Sequence, residues 1–488
     1  MTIFENNLLK AFTFLQKNDT FILKSYRKLG CVMRNYDVVI VGGGISGAVA
    51  GIAAARLGEK VLIIESNGFL GGMLTAAGVG PMMTFHAGEK QAIQGITDEM
   101  IQRLKTIGKS VGHIEDLTNY TYSVTPFDAE AMKHELEVML IESGGEILYH
   151  TALAEVIKEG NKITKLKVCN KAGISEISGK VFIDASGDGD LAAWAGVTFT
   201  KGRETDGASQ PMTLKMKVRN VDIDRVKEYI REHPENFTRV PDNLDQLNKV
   251  ERLSVVGYLK EFKEAKEKGE ISIPREDVLF FETNNPGEVI FNTTRILGCD
   301  STDPWSLSKA EIEGRKQCRE LEHFMKKYMV GFENAVVVTT GPRIGVRSSR
   351  QIVGAYTLTA EDLLQQKKFE DVIAHSGYPI DIHSPDGEGT SHGKLEWGGM
   401  YGIPYRCLIT NDIDNLLVVG RCLSATFEAQ AGVRTTPTAG AIGHAGGVAA
   451  ALAAKGNIGV QEIDIPNLQQ TLITQGAYLE VEPPVKSN

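Results

Sequence analysis

The stretch Tyr36–Glu65, YDVVIVGGGISGAVAGIAAARLGEKVLIIE, decides the fold. Its apolar run Val38–Val41 predicts a buried parallel strand, and the small residues from Ala48 to Leu57 predict a closely packed helix. A second apolar run follows at Lys60–Glu65. A strand, a glycine turn, a helix and a second strand in this order are typical of a Rossmann-like α/β fold.

Between the first strand and the helix lies the pattern G-x-G-x-x-G, filled by Gly42, Gly44 and Gly47, with Ser46 inside it. The first glycine makes the turn, the second admits a pyrophosphate to the backbone, and the third lets helix and strand pack. The helix N-terminus presents free N–H groups to the phosphates. Glu65 ends the second strand, where an acid accepts hydrogen bonds from an adenosine ribose. A lone pattern is often only a turn, but the flanking elements are all present, so we assign these five residues to a dinucleotide.

A second glycine pair follows Glu65 in the stretch ESNGFLGGMLTAAG. A backbone with so few side chains can run beside the pyrophosphate and ribityl chain of an extended ligand, whereas a nicotinamide-binding fold would go straight into its next helix. The pair therefore favours FAD over NAD, and we assign Gly71, Gly72 and Met73 to the cofactor. From the local spacing alone, a merely flexible loop is the alternative.

Residues 126–144 predict a helix, and three strand-like runs follow it: EILYHTALAEV, KITKLKVCN and GKVFIDASG. The turns between them lie at hairpin spacing, which predicts an antiparallel β-meander. The third run ends at Ser186 and Gly187, and open α/β sheets hold their ligands at such strand ends. We assign both residues to the cofactor, together with Ala154 of the first run.

The chain then leaves the cofactor domain and returns to it. Charged helices replace apolar strands from about residue 201, which predicts an inserted α+β substrate or cap domain. The run NLLVVGRCLSA supplies another buried strand, followed by a glycine-rich helix. The predicted limits are 1–35 for an N-terminal extension (a leader or a peripheral amphipathic helix), 36–200 and 396–455 for two parts of an FAD-binding domain, 201–395 for the cap, and 456–488 for a tail.

The composition limits the kinds of binding partner that we expect. The 488 residues carry a formal charge of −9, which gives no field for collecting a nucleic acid, so we expect a small-molecule substrate. No run of eighteen apolar residues predicts a transmembrane span. The six cysteines are scattered without metal-ligand spacing, so we predict no metal site and reduced thiols, as in the cytoplasm. The oligomeric state stays open.

Four blocks together carry a family resemblance: VVIVGGGISG, ESNGFLGGML, VFIDASGDGDLA and LLVVGRCLSATFEAQAGVRTTPTAGAIGHAGG. The chain resembles the FAD-dependent oxidoreductases of the fumarate reductase and succinate dehydrogenase flavoprotein superfamily. The resemblance covers roughly residues 36–455. It implies an FAD domain on the two-dinucleotide-fold plan, with the isoalloxazine lying between that domain and the cap.

The resemblance also implies contacts from the last block, namely Gly420 and, at the helix that faces the flavin's pyrimidine edge, Thr436. Relatives often have Gly-Glu where this chain has Gly420–Arg421, so the ribityl contact of that acid is in question here. Some relatives bind FAD covalently through a histidine after the second glycine pair. No histidine lies between Gly71 and Phe85, so we predict non-covalent FAD.

Two residues are the candidates for catalysis. In the superfamily an arginine just before the last helix holds a substrate carboxylate, and Arg434 matches it; pairing with Glu428 or binding the pyrophosphate are the alternatives. His383 and, behind it, His392 lie in a glycine-rich loop and could move a proton near neutral pH. Arg343, Arg347 and Arg350 have the spacing of one helical face, which suggests an anion site or a salt-bridge network.

The function expected from these features is exchange of a hydride between flavin N5 and a small polar substrate, with a carboxylate as the candidate. No second dinucleotide fingerprint is present, so the electron donor or acceptor must visit. Two alternatives remain: an FAD-dependent transferase or nucleic-acid-modifying flavoprotein, and a flavin-binding electron-transfer subunit.

Overall fold

The computed structural model describes residues 35–481, apart from 119, 242 and 394. The predicted N-terminal extension, except its last residue, and the end of the predicted tail lie outside the described residues. The α-helices are α1 (Ile45–Arg56), α2 (Ile96–Thr106), α3 (Ala129–Glu142), α4 (Asp190–Trp194), α5 (Ile223–Glu232), α6 (Leu259–Glu267), α7 (Pro304–Tyr328), α8 (Ala360–Leu364), α9 (Phe427–Val433), α10 (Thr436–Gly456) and α11 (Ile465–Thr474).

The strands fall into one large sheet, one cap sheet and several small ones. In chain order they are β1 (Asn35–Val41), β2 (Val61–Ile64), β3 (Met82–Met83), β4 (His86–Ala87), β5 (Lys90–Gln91), β6 (Ile114–Glu115), β7 (Ser123–Thr125), β8 (Glu146–Leu148), β9 (Ala152–Glu159), β10 (Lys162–Asn170), β11 (Gly173–Asp184), β12 (Phe199–Lys201), β13 (Met216–Arg219), β14 (Phe237–Arg239), β15 (Ser254–Gly257), β16 (Val278–Glu282), β17 (Val289–Phe291), β18 (Val336–Thr340), β19 (Arg350–Ile352), β20 (Val372–Ser376), β21 (Ile380–His383), β22 (Thr390–Gly393), β23 (Tyr401–Pro404) and β24 (Leu416–Val418).

The large sheet has the order β8-β2-β1-β11-β10-β9, and β24 pairs with β11. Its centre is parallel, because β1 pairs in parallel with β2 and β11, as β11 does with β24. β10 pairs antiparallel with β9 and β11. The predicted α/β fold class, a parallel sheet plus a β-meander, is confirmed.

One predicted run differs from the structure. The segment EILYHTALAEV is two strands, since β8 pairs in parallel with β2 while β9 joins the meander. The break lies at His150, whose φ of 51° is left-handed, and a strand cannot continue through that conformation. The third run is longer than predicted, because β11 starts at Gly173 and serves both parts of the sheet.

Helix α10 lies against α1 at backbone distance. A Cβ on Gly443 would lie 2.1 Å from the Ser46 carbonyl oxygen, and a Cβ on Gly447 would lie 2.2 Å from that of Ala50. The glycines of the last block therefore allow two helices to pack closely. This contact brings the N-terminus of α10 to the same side of the sheet as the glycine turn of α1.

The cap contains a six-stranded sheet of order β14-β15-β16-β17-β13-β18, with antiparallel pairing throughout. Alternate residues of its strands enter a second hydrophobic core, as Leu214, Met216 and Val218 do. That core draws on residues 117–337, whereas Leu358 to Tyr405 pack with the core of the FAD domain. The predicted domain limits remain predictions, but residues after about 350 share a core with the large sheet.

Candidate active site

One cavity of about 790 Å³ lies between the carboxyl edge of the large sheet and the cap sheet. Its walls bring together most of the residues that the sequence predicts for cofactor and substrate. The predicted residues that line it are Gly42, Gly44, Ser46, Glu65, Gly72, Met73, Ser186, Gly187, His383, Arg434 and Thr436. The cavity has two parts, which we call the groove, along β1, β2 and α1, and the lobe, beneath the cap sheet.

The groove begins at the turn between β1 and α1. Gly42 has a φ of 101°, and a Cβ there would lie 2.4 Å from the Ala185 carbonyl oxygen. Gly44 precedes α1 without a side-chain cap, so the first N–H groups of the helix have no side-chain acceptor. Free N–H groups at a helix N-terminus attract phosphate oxygens, which fits the pyrophosphate of FAD.

Glu65 is fixed at the end of β2. Its Oε2 accepts a hydrogen bond from the Gly43 N–H at 2.7 Å, and its Oε1 accepts two from Asn67. The side chain is buried and lines the groove. A carboxylate held this way keeps lone pairs for the ribose hydroxyls of an adenosine.

The second glycine pair packs against the first glycine turn. Gly71 N–H donates to the Gly43 carbonyl oxygen at 2.8 Å, and a Cβ on Gly72 would lie 2.7 Å from the Gly44 Cα. The pair therefore joins the loop after β2 to the phosphate-binding turn. This contact gives the pair a definite position and leaves Gly72 and Met73 on the cavity wall.

Four predicted cofactor residues, Gly47, Gly71, Ala154 and Gly420, are not among the lining residues of the cavity. A Cβ on Gly47 would lie 1.9 Å from the Gly42 carbonyl oxygen, and one on Gly420 would lie 2.4 Å from Ser46 Oγ. These two glycines allow close packing beneath the groove. Beside Ala154, its neighbours Ala152 and Leu153 reach the cavity. The direct cofactor contacts of these four residues stay predictions.

Arg421 occupies the position where relatives often have an acid. Its guanidinium donates to the Gly187 carbonyl oxygen at 2.7 Å and to Asp188 Oδ1 at 3.0 Å, and it also reaches the Val346 carbonyl oxygen. Asp188 and Arg421 both line the groove. This wall of the groove therefore does carry an acid. The acid is Asp188, which follows β11 in the chain and pairs with Arg421.

Arg434 lies at the C-terminal end of α9, directly before α10. Its Nη2 donates to the Asp381 carbonyl oxygen at 3.1 Å and lies 3.6 Å from Asp381 Oδ2. Its Nε is buried without a hydrogen-bond partner. The acidic partner in the structure is Asp381 and not Glu428, the alternative that the sequence left open. Part of the guanidinium remains available to a ligand.

His383 and Tyr378 meet the same carboxylate. Asp381 Oδ2 lies 3.3 Å from His383 Nε2 and accepts a hydrogen bond from the Tyr378 hydroxyl at 3.3 Å. Burial, followed by the charge of Arg347, lowers the pKa of His383 to about 3. The imidazole is therefore neutral near pH 7. It can form hydrogen bonds with a ligand, but it is a weak proton acceptor. The described residues do not include the side chain of His392.

The lobe also contains cations that the sequence analysis missed: Lys215, Arg275 and Arg295. Arg275 pairs with Asp277 at 2.7 Å. Arg295 donates only to backbone carbonyl oxygens, those of Ser384 and Gly389, and its Nε is buried without a partner. A faint signal was present at Lys215, since it interrupts the alternating apolar residues of PMTLKMKV, but such residues usually face solvent.

The three arginines predicted to share a helical face do not lie on a helix. Arg350 begins β19 and pairs with Asp190 at 2.8 Å, while Arg343 donates to Ser66 Oγ at 3.1 Å. Arg347 is half-buried and donates to the Pro211 carbonyl oxygen and to Thr213 Oγ1. The spacing was misleading because residues 341–349 are extended and irregular. Arg347 faces the lobe and Arg343 faces the groove, while Arg350 is not among the residues that line the cavity.

His86 is the first histidine after the second glycine pair. Its Nδ1 lies 2.9 Å from Ser123 Oγ, and it is not among the lining residues of the cavity. This position supports the prediction of non-covalent FAD. In the part of the chain that the structure describes, no helix is long and apolar enough to cross a membrane, and no His, Cys, Asp and Glu cluster is suited to a metal ion.

The groove and the lobe together define an α/β flavoprotein with a dinucleotide groove that opens onto a substrate lobe. The comparison with protein families agrees: the model of the FAD dependent oxidoreductase family matches residues 37–472. The chain belongs to that family, whose members are FAD enzymes, and FAD is its cofactor.

Curated relatives match shorter stretches. The chain is 26% identical over 208 residues to digeranylgeranylglycerophospholipid reductase of Thermoplasma volcanium, covering 39% of this chain and 49% of that protein. It is 31% identical over 160 residues to thiamine thiazole synthase of Methanococcus aeolicus, covering 31% of this chain and 54% of that protein. The chain thus spans about half the length of these relatives.

Solved structures are more distant in sequence. A geranylgeranyl bacteriochlorophyll reductase-like protein of Thermoplasma acidophilum has a TM-score of 0.44 at 14% identity, covering 91% of this chain and 83% of that one. L-proline dehydrogenase of P. horikoshii has a TM-score of 0.42 at 13% identity, covering 92% of this chain and all of that one. At these scores neither likeness informs the site.

Proposed function

We propose that the enzyme exchanges a hydride between FAD and a small polar substrate whose carboxylate is held by Arg434. FAD supplies the hydride chemistry at N5. The protein has to orient the substrate, exclude water and handle charge. The observation that carries this proposal is the guanidinium of Arg434, which lines the lobe and whose buried Nε has no hydrogen-bond partner among the described residues.

An arginine suits this role because its planar fork binds a carboxylate through two parallel hydrogen bonds. Asp381 holds Arg434 from one side, which limits its motion before the substrate arrives. The N-terminus of α10 begins two residues later, with Thr435 and Thr436 on the cavity wall. A helix N-terminus stabilises negative charge nearby, so this corner of the cavity suits both a carboxylate and a reduced flavin.

His383 is proposed as a neutral hydrogen-bonding group for the substrate. Its position is set by Asp381 on one ring nitrogen and by Thr390 Oγ1, 3.4 Å from the other. A substrate oxygen in the lobe could replace the long contact with Thr390. Its role concerns orientation, because the protonated form is rare near pH 7.

The remaining parts of the proposal concern family placement and partners. The superfamily placement beside fumarate reductase is supported by the position of Arg434 before α10 and by the four glycine-rich blocks. The electron donor or acceptor is proposed to visit. A cytoplasmic location is supported by the five free thiols among the described residues, Cys169, Cys299, Cys318, Cys407 and Cys422. A buried lobe of this size suits a small molecule better than a nucleic acid.

The proposal is tested on the FAD-loaded protein without oxygen. A panel of hydroxy acids, amino acids, alcohols and sugars is offered, and the flavin absorbance near its oxidised maximum is followed. We expect bleaching by a member that carries a carboxylate. Arg434→Ala should keep FAD and lose that bleaching, because two hydrogen bonds to a buried carboxylate are removed.

Arg406→Ala is the matched control, since Arg406 pairs with Asp371 on the surface, outside the cavity. It should bleach at the wild-type rate. Bleaching by alcohols or sugars alone, or unchanged bleaching in Arg434→Ala, would remove the carboxylate from the proposal. Loss of FAD from Arg434→Ala would assign Arg434 to the cofactor.

A further inference from the structure

Lys215 is the feature of the lobe that the proposed function leaves unused. Its side chain lines the cavity although the residue is only 6% exposed. Its ammonium group makes no hydrogen bond or ion pair to any of the residues that the structure describes. A buried lysine is normally paired, because an isolated ammonium loses its hydration. An unpaired one that points into a cavity indicates a ligand-facing role.

The position of Lys215 follows from the cap sheet. Leu214, Met216 and Val218 point into the cap core, so the alternation of a strand places Lys215 on the opposite face, over the lobe. A hydrogen bond holds its backbone, because the Gly341 N–H donates to the Lys215 carbonyl oxygen at 3.0 Å. The residue that carries the amine therefore lies directly before β13 and is held there by a backbone hydrogen bond.

The charges around Lys215 are mostly of its own sign. Arg275, Arg347 and Arg434 face the same cavity. Two of the nearby acids already have partners. Asp277 pairs with Arg275, and Asp381 lies against Arg434 and His383. A third acid, Glu276, also lines the cavity. Burial, followed by the charges of Arg347, Arg275 and Arg434, holds the pKa of Lys215 well below its usual range.

We propose that Lys215, whose side chain shares the lobe with Arg275, Arg347 and Arg434, is the proton-exchanging residue of the active site. Its amine is uncharged before the substrate binds. This inference rests on the proposed hydride exchange. Moving a hydride from carbon leaves one proton to be taken from the adjacent O–H or N–H group of the substrate. That bond breaks towards Lys215 Nζ, its electron pair stays on the substrate to form the C=O or C=N bond, and Lys215 becomes an ammonium ion.

The surroundings support both states of this cycle. The arginines disfavour the ammonium ion while the lobe holds no anion, and a bound carboxylate offsets their charge and makes the ammonium ion less costly. In the reverse direction the ammonium ion returns its proton to the substrate. His383 is less suited to this step, because its pKa of about 3 makes it a weak base.

The test traps the uncharged amine in the FAD-loaded wild-type protein. The protein is treated at pH 7 with acetaldehyde and cyanoborohydride, or with glyoxylate and cyanoborohydride. The amine condenses with the aldehyde, water leaves, and cyanoborohydride reduces the imine to a stable secondary amine. Peptide mass spectrometry then compares the rate at Lys215 with that at Lys217, a matched control in β13 that pairs with Glu288 at 3.4 Å.

We expect acetaldehyde to alkylate Lys215 at least about tenfold faster than Lys217 at pH 7, because each unit of lowered pKa raises the uncharged fraction about tenfold. The ratio should fall as the pH rises towards the ordinary pKa range of lysine side chains. Equal rates at pH 7, or a faster reaction of Lys217, would overturn the assignment of Lys215.

The two aldehydes separate this inference from the proposed function. Glyoxylate carries a carboxylate, so Arg434 should give it an additional preference for Lys215. In Arg434→Ala both aldehydes should react more slowly, because a charge that lowers the pKa of Lys215 is removed, and the ratio of the glyoxylate rate to the acetaldehyde rate should fall to the ratio measured at Lys217. Rapid alkylation by acetaldehyde without a glyoxylate preference would leave Lys215 in place and reject the carboxylate site. Slow alkylation by both aldehydes would reject Lys215, whatever the flavin bleaching shows.

Discussion

The groove and the lobe are built from different parts of the polypeptide. In the groove the cofactor-facing surface is mainly backbone: glycines at Gly42, Gly44 and Gly72, and the N-terminus of α1. In the lobe it is mainly charged side chains, such as Lys215 and Arg434. Backbone contacts depend on local chain geometry, whereas side-chain contacts depend on which distant strands the fold brings together.

This difference predicts how substitutions in the two regions affect folding and chemistry. A side chain added to the groove collides with backbone that cannot move, so the effect should extend to folding and FAD binding. A side chain removed from the lobe should leave the fold intact and change chemistry. Three substitutions test this contrast, from the largest expected effect to the smallest.

Gly42→Ala should nearly abolish FAD binding and destabilise the fold by about 3 kcal/mol or more. The cost of a left-handed φ for alanine adds to the cost of the collision between its Cβ and the backbone. Gly58 is the matched control, with a φ of 90° and nothing within 4 Å of an added Cβ. Gly58→Ala should cost about 1 to 2 kcal/mol and keep FAD. Thermal unfolding and the ratio of flavin to protein absorbance measure both. Equal losses in the two variants would mean that the collision at Ala185 is unimportant.

Glu65→Gln tests the one side chain on which the groove depends. The amide keeps the shape but gives up the charge in the hydrogen bonds from Gly43 and Asn67 and to the ribose. We expect the Kd of FAD to rise about 10- to 100-fold, as for hydrogen bonds to a charged group. Glu155→Gln, which removes only an exposed ion pair with Lys167, should leave it unchanged. Titration of the apoprotein by flavin fluorescence decides, and a wild-type Kd in Glu65→Gln would contradict the ribose assignment.

Arg347→Met should act on the lobe alone. The charge of Arg347 is the largest cause after burial that lowers the pKa of Lys215, so its removal should raise that pKa. Alkylation of Lys215 at pH 7 should slow, and its pH midpoint should move upward. Arg343→Met, at the Ser66 end of the groove, should not change the midpoint. A downward shift in Arg347→Met would show that burial and charge have been assigned wrongly.

The groove could be predicted from sequence to a large extent. Gly42, Gly44, Ser46, Glu65 and Gly72 line one cavity in the structure as the local pattern implies. Such residues lie within about thirty positions of one another, and steric rules for glycine and helix termini act over that range. The position of Ala154 was less predictable. The break at His150 changes the strand register, and the register decides which of the adjacent side chains faces the cavity.

The lobe was predictable only in part. The position of Arg434 before α10 marked it, but its partner Asp381 came from a strand that sequence spacing did not connect to it. The arginine series failed because three-to-four spacing has meaning only on a helix, and Arg347 lies in an irregular segment. Lys215 directly precedes β13 and Arg295 follows β17, two strands of the cap that pair antiparallel with each other. Nothing near either residue in the sequence indicates that they share a cavity.

The sequence by itself determined the Rossmann-like fold, the cofactor class and the residues that turn the backbone around the dinucleotide, because these follow from short-range steric and hydrogen-bonding rules. Three features depend on the tertiary structure: Arg434 meets Asp381, Arg421 pairs with Asp188, and Lys215 faces the lobe without an ion-pair partner among the described residues. The physical reason is that burial and electrostatic environment are properties of neighbours in space. Those neighbours come from distant segments of the chain, which lie 233 residues apart for Arg421 and Asp188 and 224 residues apart for Arg434 and Gln210.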